Sequence, residues 1–327
     1  MFVPHLGCPH ACVFCDQKRI SGAAAPAAPA DVVDAIERGL GKSKKPPQLA
    51  FYGGSFTAIP AAEQEALLRV ALPYVQSGRS SGVRISTRPD CIDPETLTRL
   101  SRYGVDTVEL GAQSMDDDVL KACGRGHSAA DTVNASCLIK ERGFSLVLQM
   151  MTGLPGSDRE RDIETARRLI ELAPDAARIY PTVVLRGTGL HRLWATGAYA
   201  EHTVEDAVET CASILPLFEQ AGIPVIRLGL NPSDDLSAGE AVAGAYHPAL
   251  GELVKGRVML CRARAVLAHA PRGRSVTLTV GKGRVSQMAG QHRCNLAALR
   301  SEFGYERIMI REREHDGGEV GLGEIMP

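Results

Sequence analysis

The sequence predicts an α/β protein: an incomplete (β/α)6 TIM-like barrel over residues 1–230, followed by a small C-terminal α+β appendage over 231–327. Three observations predict it. Short apolar runs recur at 49–52, 83–86, 107–110, 146–150 and 178–182. Amphipathic helical stretches separate them, and strands spaced by helices imply βα units and a parallel sheet. The alternation then stops after Leu228. With a first strand near 2–6, about six units precede residue 182, too few for a closed eight-stranded barrel. A doubly wound open sheet is the second choice.

The elements follow in order. Residues 23–30 are an Ala/Pro loop; Val32, Val33, Ile36 and Leu40 then sit at helical spacing, with Asp31 as N-cap. Further helices are expected at 61–75, 94–102, 116–122, 129–142, 159–173 and 204–221. The stretch 229–251 is rich in Gly, Pro and Asp and is expected to be irregular. A helix over 253–269, a strand at 276–280, a helix near 295–303 and a strand at 308–310 complete the appendage.

Of the 327 residues, 44% are hydrophobic and 23% charged, enough apolar matter for a substantial core. No apolar run is long enough to span a membrane. The start, Met1-Phe2-Val3-Pro4-His5, has neither the charged nor the apolar region of a signal peptide, so a cytoplasmic location is expected. Nine cysteines, three of them within eight residues, do not look like a secreted disulfide framework. Most of the six scattered ones read as small buried hydrophobes. Net charge is −1, yet residues 252–314 hold 13 Lys/Arg against 5 Asp/Glu. A basic appendage on an acidic body suggests an anionic partner, with Lys255, Arg257, Arg262 and Arg264 as its expected contacts.

The strongest chemical signal is Cys8-Pro9-His10-Ala11-Cys12-Val13-Phe14-Cys15, spaced C-x3-C-x2-C. Thiolates are the usual ligands of iron–sulfur clusters. Three on one loop suit three irons of a cubane and leave the fourth iron open. Structural zinc takes four protein ligands, and His5 or His10 would be the fourth, so zinc is the rival.

The triplet resembles the signature of the radical S-adenosylmethionine superfamily. Its flanks, residues 3–7 and 16–22, resemble the radical domain of the Elongator catalytic-subunit family and its shorter bacterial relatives. The resemblance implies a [4Fe–4S] cluster on Cys8, Cys12 and Cys15. It implies S-adenosylmethionine on the open iron, reductive cleavage to a 5′-deoxyadenosyl radical, and an external flavodoxin- or ferredoxin-like one-electron reductant. It also implies which strand ends meet the cofactor: Gly53, Gly54 and Ser55 after the second strand, Ser86 and Arg88 after the third, Glu109, Gln113 and Ser114 on the fourth. Arg178 stands where the family usually has lysine, and Tyr180 is a candidate catalytic contact to substrate. Gln149 through Gly156 extend the likeness, as do 245–254 and 290–295. Gly124-Arg125-Gly126-His127 reads either as a capped turn or as a segment whose Arg125 and His127 orient substrate or an anion. In that family the radical domain is followed by an acetyltransferase domain; the residues after Leu253 already read as the appendage, so that activity is not expected here. The expected substrate is tRNA or another RNA. The alternatives are radical chemistry on a small anionic metabolite or a peptide, and a non-enzymatic metal-bearing RNA-binding protein.

Overall fold

The computed structural model describes residues 2–3, 8, 10–15, 28–41, 45–231, 239–271, 273–314 and 319–326. His5 and most of the segments flanking the cysteine triplet lie outside them. The first strands are β1 (Phe2–Val3), β2 (Gln48–Gly53), β3 (Gly82–Thr87), β4 (Val105–Gln113), β5 (Ser145–Thr152), β6 (Ala176–Pro181), β7 (Val183–Leu185) and β8 (Val225–Leu228). All but β7 pair in parallel, in chain order, into one seven-stranded sheet, the curled partial barrel expected from the sequence. The added strand is β8, which is short, carries Arg227 and lies half-buried at the edge, so it shows no apolar run.

Helices α1 (Pro29–Leu40), α2 (Ala61–Gln76), α3 (Pro94–Arg102), α4 (Asp117–Ala122), α5 (Ala129–Glu141), α6 (Arg159–Glu171), α7 (Gly189–Ala195) and α8 (Val204–Gln220) connect these strands. Asp93, Asp116, Ser128, Asp158 and Thr203 cap α3, α4, α5, α6 and α8, each accepting from a backbone N–H of the first turn. Helix α1 differs from expectation. Pro29, whose ring presets a helical φ, opens it, so Asp31 falls inside the first turn and accepts from Ala28 N at 2.8 Å.

Strand alternation gives the sheet two unlike faces. Phe51, Ile85, Val108, Leu110, Leu148 and Ile179 point outward under the helices and are at most 2% exposed. The intervening positions point into the lumen: Gln48, Arg84, Thr107, Glu109, Gln149 and Arg178. Closed barrels of this type fill the lumen with branched apolar side chains. A polar lumen therefore marks a binding cleft rather than a second core.

Strand β7 pairs antiparallel with β9 (Ala241–Gly244), inside the stretch expected to be irregular. Then come α9 (Leu250–Leu267), β10 (Ser275–Gly281), α10 (Val285–Ala289), α11 (Cys294–Phe303), β11 (Arg307–Arg313) and β12 (Gly321–Met326). The last three strands form a sheet in the order β11-β10-β12. Helix α9 belongs to both cores. Leu250, Val254 and Val258 pack on the barrel, whereas Met259, Leu260, Ala263 and Leu267 pack on the appendage.

The basic surface expected on α9 is not free. Lys255 pairs with Glu252, Arg257 with Glu205 and Glu209, Arg262 with Glu219, and Arg264 with Glu302. Three of those acids are on α8, so part of the appendage's charge meets the barrel's own. The scattered cysteines also divide: Cys123 and Cys211 are buried, Cys91 is half-buried, and Cys137, Cys261 and Cys294 are exposed. No helix among the described residues is long and apolar enough to cross a membrane.

Candidate active site

The cysteine loop is clamped by backbone hydrogen bonds from two sides. Val13 N donates to Cys123 O at 3.0 Å, and Leu190 N donates to Val13 O at 2.6 Å. Phe14 packs into small apolar clusters with Val119, Cys123 and Leu154 on one side and Val184, Leu190 and Tyr199 on the other. Between these anchors Cys15 N donates to Cys12 O at 3.1 Å, closing the turn that joins the last two cysteines. The Gly124–His127 segment lies directly against the loop. A Cβ on Gly124 would sit 3.4 Å from Ala11 O, and one on Gly126 would meet the His10 ring at 2.4 Å. Both glycines have positive φ, 64° and 75°, so backbone conformation favours glycine at each, and at Gly126 the His10 ring adds close approach.

Cys8, Cys12 and Cys15 open into one cavity of about 630 Å³, the size of a cofactor site. Gly53, Gly54, Ser55, Ser86, Arg88 and Gln113 also line it. These are the C-terminal ends of β2, β3 and β4, where βα barrels hold their ligands. Thr87, Gly111, Arg125 and Gln149 also line it, with His10, Ala11 and Phe14 of the cysteine loop; Arg125 stood out in the sequence as a substrate or anion contact, and Gln149 as part of the family likeness. Ser55 is engaged in structure: its hydroxyl bonds Thr87 Oγ1 at 2.7 Å and accepts from Arg88 N at 3.2 Å, tying the ends of β2 and β3.

Two guanidiniums dominate the wall. Arg88, 2% exposed, donates twice to Asp90, at 2.9 and 3.1 Å, and once to Arg125 O. Arg125 donates to Gly111 O at 2.5 Å and reaches Cys12 Sγ at 3.5 Å. Arg88 Nη1 and Arg125 Nε are nevertheless buried without a hydrogen-bond partner among the described residues. Unmade buried donors are costly, and a bound acceptor relieves them. Beyond Arg125, His127 hydrogen-bonds Ala112 O at 3.2 Å. Burial, with Arg125 and Arg88 alongside, pushes its pKa down to about 4.

Gln113 adopts φ +66° beside a bulge in β4, and its Oε1 accepts from Gln149 Nε2 at 3.2 Å. Such strain in a non-glycine residue persists where its surroundings hold it. A Cβ on Gly111 would lie 2.8 Å from Gln113 Nε2 and 3.3 Å from Arg125 Nη2, so this glycine leaves room for both side chains.

Four expected site residues are not on the cavity wall. Ser114 turns toward α6, bonding Thr165 Oγ1 at 3.3 Å and accepting from Asp116 N at 3.1 Å. Glu109, Arg178 and Tyr180 form a network in the lumen. Glu109 is 1% exposed, 3.0 Å from Arg178 Nε and 3.8 Å from Arg84 Nη1. Burial pushes its carboxyl above the ordinary range, against the pull of Arg178 and Arg84. Arg178 donates to Tyr52 Oη at 2.7 Å and to Tyr180 Oη at 3.1 Å. Arg84 carried no signal in the sequence, since a strand arginine gives no hint of the face it occupies.

The donor set suits a cluster. The three cysteines share a cavity with His10, while His5, the other histidine a zinc ion could use as its fourth ligand, lies outside the described residues. A cubane takes one thiolate at each of three different irons, whereas zinc needs its ligands around one point.

A family model described as the Radical SAM superfamily matches residues 2–169, and one described as the Radical_SAM C-terminal domain matches 174–259. Elongator complex protein 3 of Homo sapiens is 32% identical over 240 residues, covering 67% of this chain and 43% of that protein. The tRNA uridine(34) acetyltransferase of Methanocaldococcus infernus is 33% identical over 230 residues, covering 63% and 42%. The solved archaeal Methanocaldococcus infernus Elp3 with an N-terminal deletion superposes with a TM-score of 0.58 at 27% identity, covering 69% of this chain and 56% of that one. The chain spans less than half the length of the two curated relatives.

Proposed function

Because the chain belongs to the radical SAM superfamily, whose members bind a [4Fe–4S] cluster and S-adenosylmethionine, we propose that Cys8, Cys12 and Cys15 hold the cluster and that this enzyme modifies tRNA. The observation that carries the site is the pair of unpartnered buried nitrogens, Arg88 Nη1 and Arg125 Nε, beside the cavity that takes in the three cysteines. When bound, the reduced cluster supplies the electron that cleaves S-adenosylmethionine.

The chain's own residues do the rest. Arg88 and Arg125 meet an anionic group with charge-assisted hydrogen bonds. Arg125 also gives Cys12 Sγ a donor, of the kind that tunes a cluster's potential. Gly53 and Gly54 offer bare backbone at the end of β2, where a ligand's polar groups approach closely. Gln113 and Gln149 present amide groups suited to ribose hydroxyls. Glu109, Arg84, Arg178 and Tyr52 form a rigid floor beneath, and Tyr180 stands beside it as a substrate contact.

tRNA is favoured as substrate because a relative at 33% identity is named as a tRNA uridine(34) acetyltransferase. A flavodoxin- or ferredoxin-like protein in the cytoplasm would supply the electron. The lumen's own charge supports a second reading. Two arginines face one glutamate there, which suits a small anionic substrate or co-substrate. Anaerobic turnover with total tRNA, followed by mass analysis of the nucleosides, separates the two. A new modified nucleoside that needs Cys12 supports tRNA modification; unchanged nucleosides alongside cleaved S-adenosylmethionine favour the small substrate.

A further inference from the structure

One face of the appendage sheet packs on helices. Val276, Leu278, Val280 and Ile308 turn toward α9, α10 and α11 and form the second core. Alternation sends Arg307, Met309, Arg311 and Arg313 of β11 to the opposite face. The parallel register sets them beside Ser275, Thr277, Thr279 and Gly281 of β10. The edge strand adds bare backbone there. A Cβ on Gly323 would come within 3.2 Å of the Thr277 side chain, and one on Gly321 would lie 2.6 Å from Thr279 Oγ1.

Two further observations separate this face from the rest of the basic appendage. Arg307 and Arg311 are exposed and make no ion pair among the described residues, unlike the cations of α9. Ser275 and Thr279 are half-buried beside them, whereas the Thr277 hydroxyl and Arg313 Nε are closed off from solvent. The carboxylates on and beside this sheet are Glu319, which reaches Arg313 only at 3.9 Å and is 84% exposed, Glu306, held by Arg274, Glu312, which accepts from Gly283 N, and the exposed Glu314 and Glu324.

Alternate residues of a strand stand roughly 6.6 Å apart, so these guanidiniums address separate anionic groups rather than one small ion. A row of planar forks beside hydroxyls, on a face kept flat by glycine, suits a chain of phosphodiesters. We infer that the open face of this sheet, through Arg307, Arg311 and Arg313, docks the RNA backbone. This rests on the tRNA reading above and assigns its binding surface. The face lies past residue 259, beyond the reach of either family model.

The test is fluorescence polarisation of labelled tRNA on the purified protein across a salt series. The R307E/R311E variant is expected to bind at least tenfold more weakly. Its slope of log K against log salt should be shallower by about 1.4–1.8, two phosphate contacts' worth. R307K/R311K should keep most of the affinity, and R264A, whose cation is already paired, should match wild type within about twofold. Thermal midpoints of the variants establish that they fold. Unchanged affinity and slope in R307E/R311E overturn the inference while leaving tRNA modification standing. Equal competition by polyglutamate overturns RNA as the partner. Binding that depends on this face, without any nucleoside change on turnover, sinks the modification reading and keeps the docking surface. No tRNA binding by wild type defeats both.

Discussion

Replacing Glu109 by glutamine removes the one carboxylate between two lumen arginines. The wild-type group is 1% exposed, with Arg178 Nε at 3.0 Å and Arg84 Nη1 at 3.8 Å. The arginine side chains are only 16% and 18% exposed, so water replaces little of the lost attraction. At an effective dielectric of about 20, those separations correspond to roughly 5 and 4 kcal/mol of attraction. Desolvation and the arginines' mutual repulsion cancel much of it, and breaking a buried pair from one side costs about 3–5 kcal/mol net. For a chain of this size that is about 4–7 °C in thermal midpoint. Urea denaturation is the assay, with a lower midpoint at unchanged slope expected. Removing the facing cation as well, in E109Q/R178M, should recover at least half of the loss. A Glu109→Gln variant within about 0.5 kcal/mol of wild type would refute the reasoning, because the charges would then be solvated rather than mutually dependent.

Other outcomes follow from the same structure. Burial pushes Asp162 up to about 7 while it accepts from Gly153 N at 2.8 Å and contacts Ser157 Oγ at 2.6 Å. The folded chain then holds a proton that the unfolded chain releases near pH 4, so this contribution to stability is present below pH 4 and lost as pH rises through about 7. Asp162→Asn, which mimics the protonated acid, should flatten that decline in urea titrations between pH 4 and 7; an unaltered slope contradicts it. His127 has the opposite sign. Its pKa falls to about 4 from 6.5, so its contribution is present above pH 6.5 and lost on acidification toward 4. His127→Gln, which keeps a donor to Ala112 O, should lessen acid sensitivity over that range. Arg125→Leu removes the donor to Cys12 Sγ and a positive charge beside the site. It should lower the potential of the reconstituted cluster by on the order of 60 mV, a tenfold change for one electron, in a spectroscopic redox titration. An unchanged or higher potential would count against that role.

The sequence revealed the site more fully than its supports. Gly53, Gly54, Arg88 and Gln113 were reached through the family resemblance; their place at the ends of apolar strands agreed with it but was weak evidence alone. Ser114 was equally polar and equally placed, but the bulge in β4 turns it toward α6, and a strict period of two cannot see a bulge. Strands β7 and β9 are three and four residues long and pair across more than fifty residues, so nothing local announced them. The basic appendage was legible as charge, but sequence does not show partners. Only the fold brings Glu205, Glu209 and Glu219 of α8 against α9, and only strand alternation leaves Arg307 and Arg311 on the open face. Glycines 124 and 126 read as a turn because the loop they admit, with Ala11 and His10, is distant in sequence.

The most direct test of the central claim is anaerobic reconstitution of the chain with iron and sulfide, then reduction in the presence of S-adenosylmethionine, with 5′-deoxyadenosine measured by mass spectrometry. The account predicts about four irons per chain, 5′-deoxyadenosine formed by wild type, and loss of both when Cys8, Cys12 or Cys15 is replaced by alanine. A fully loaded cluster that yields no 5′-deoxyadenosine, or a triplet that retains a single zinc in preference to iron, would contradict it.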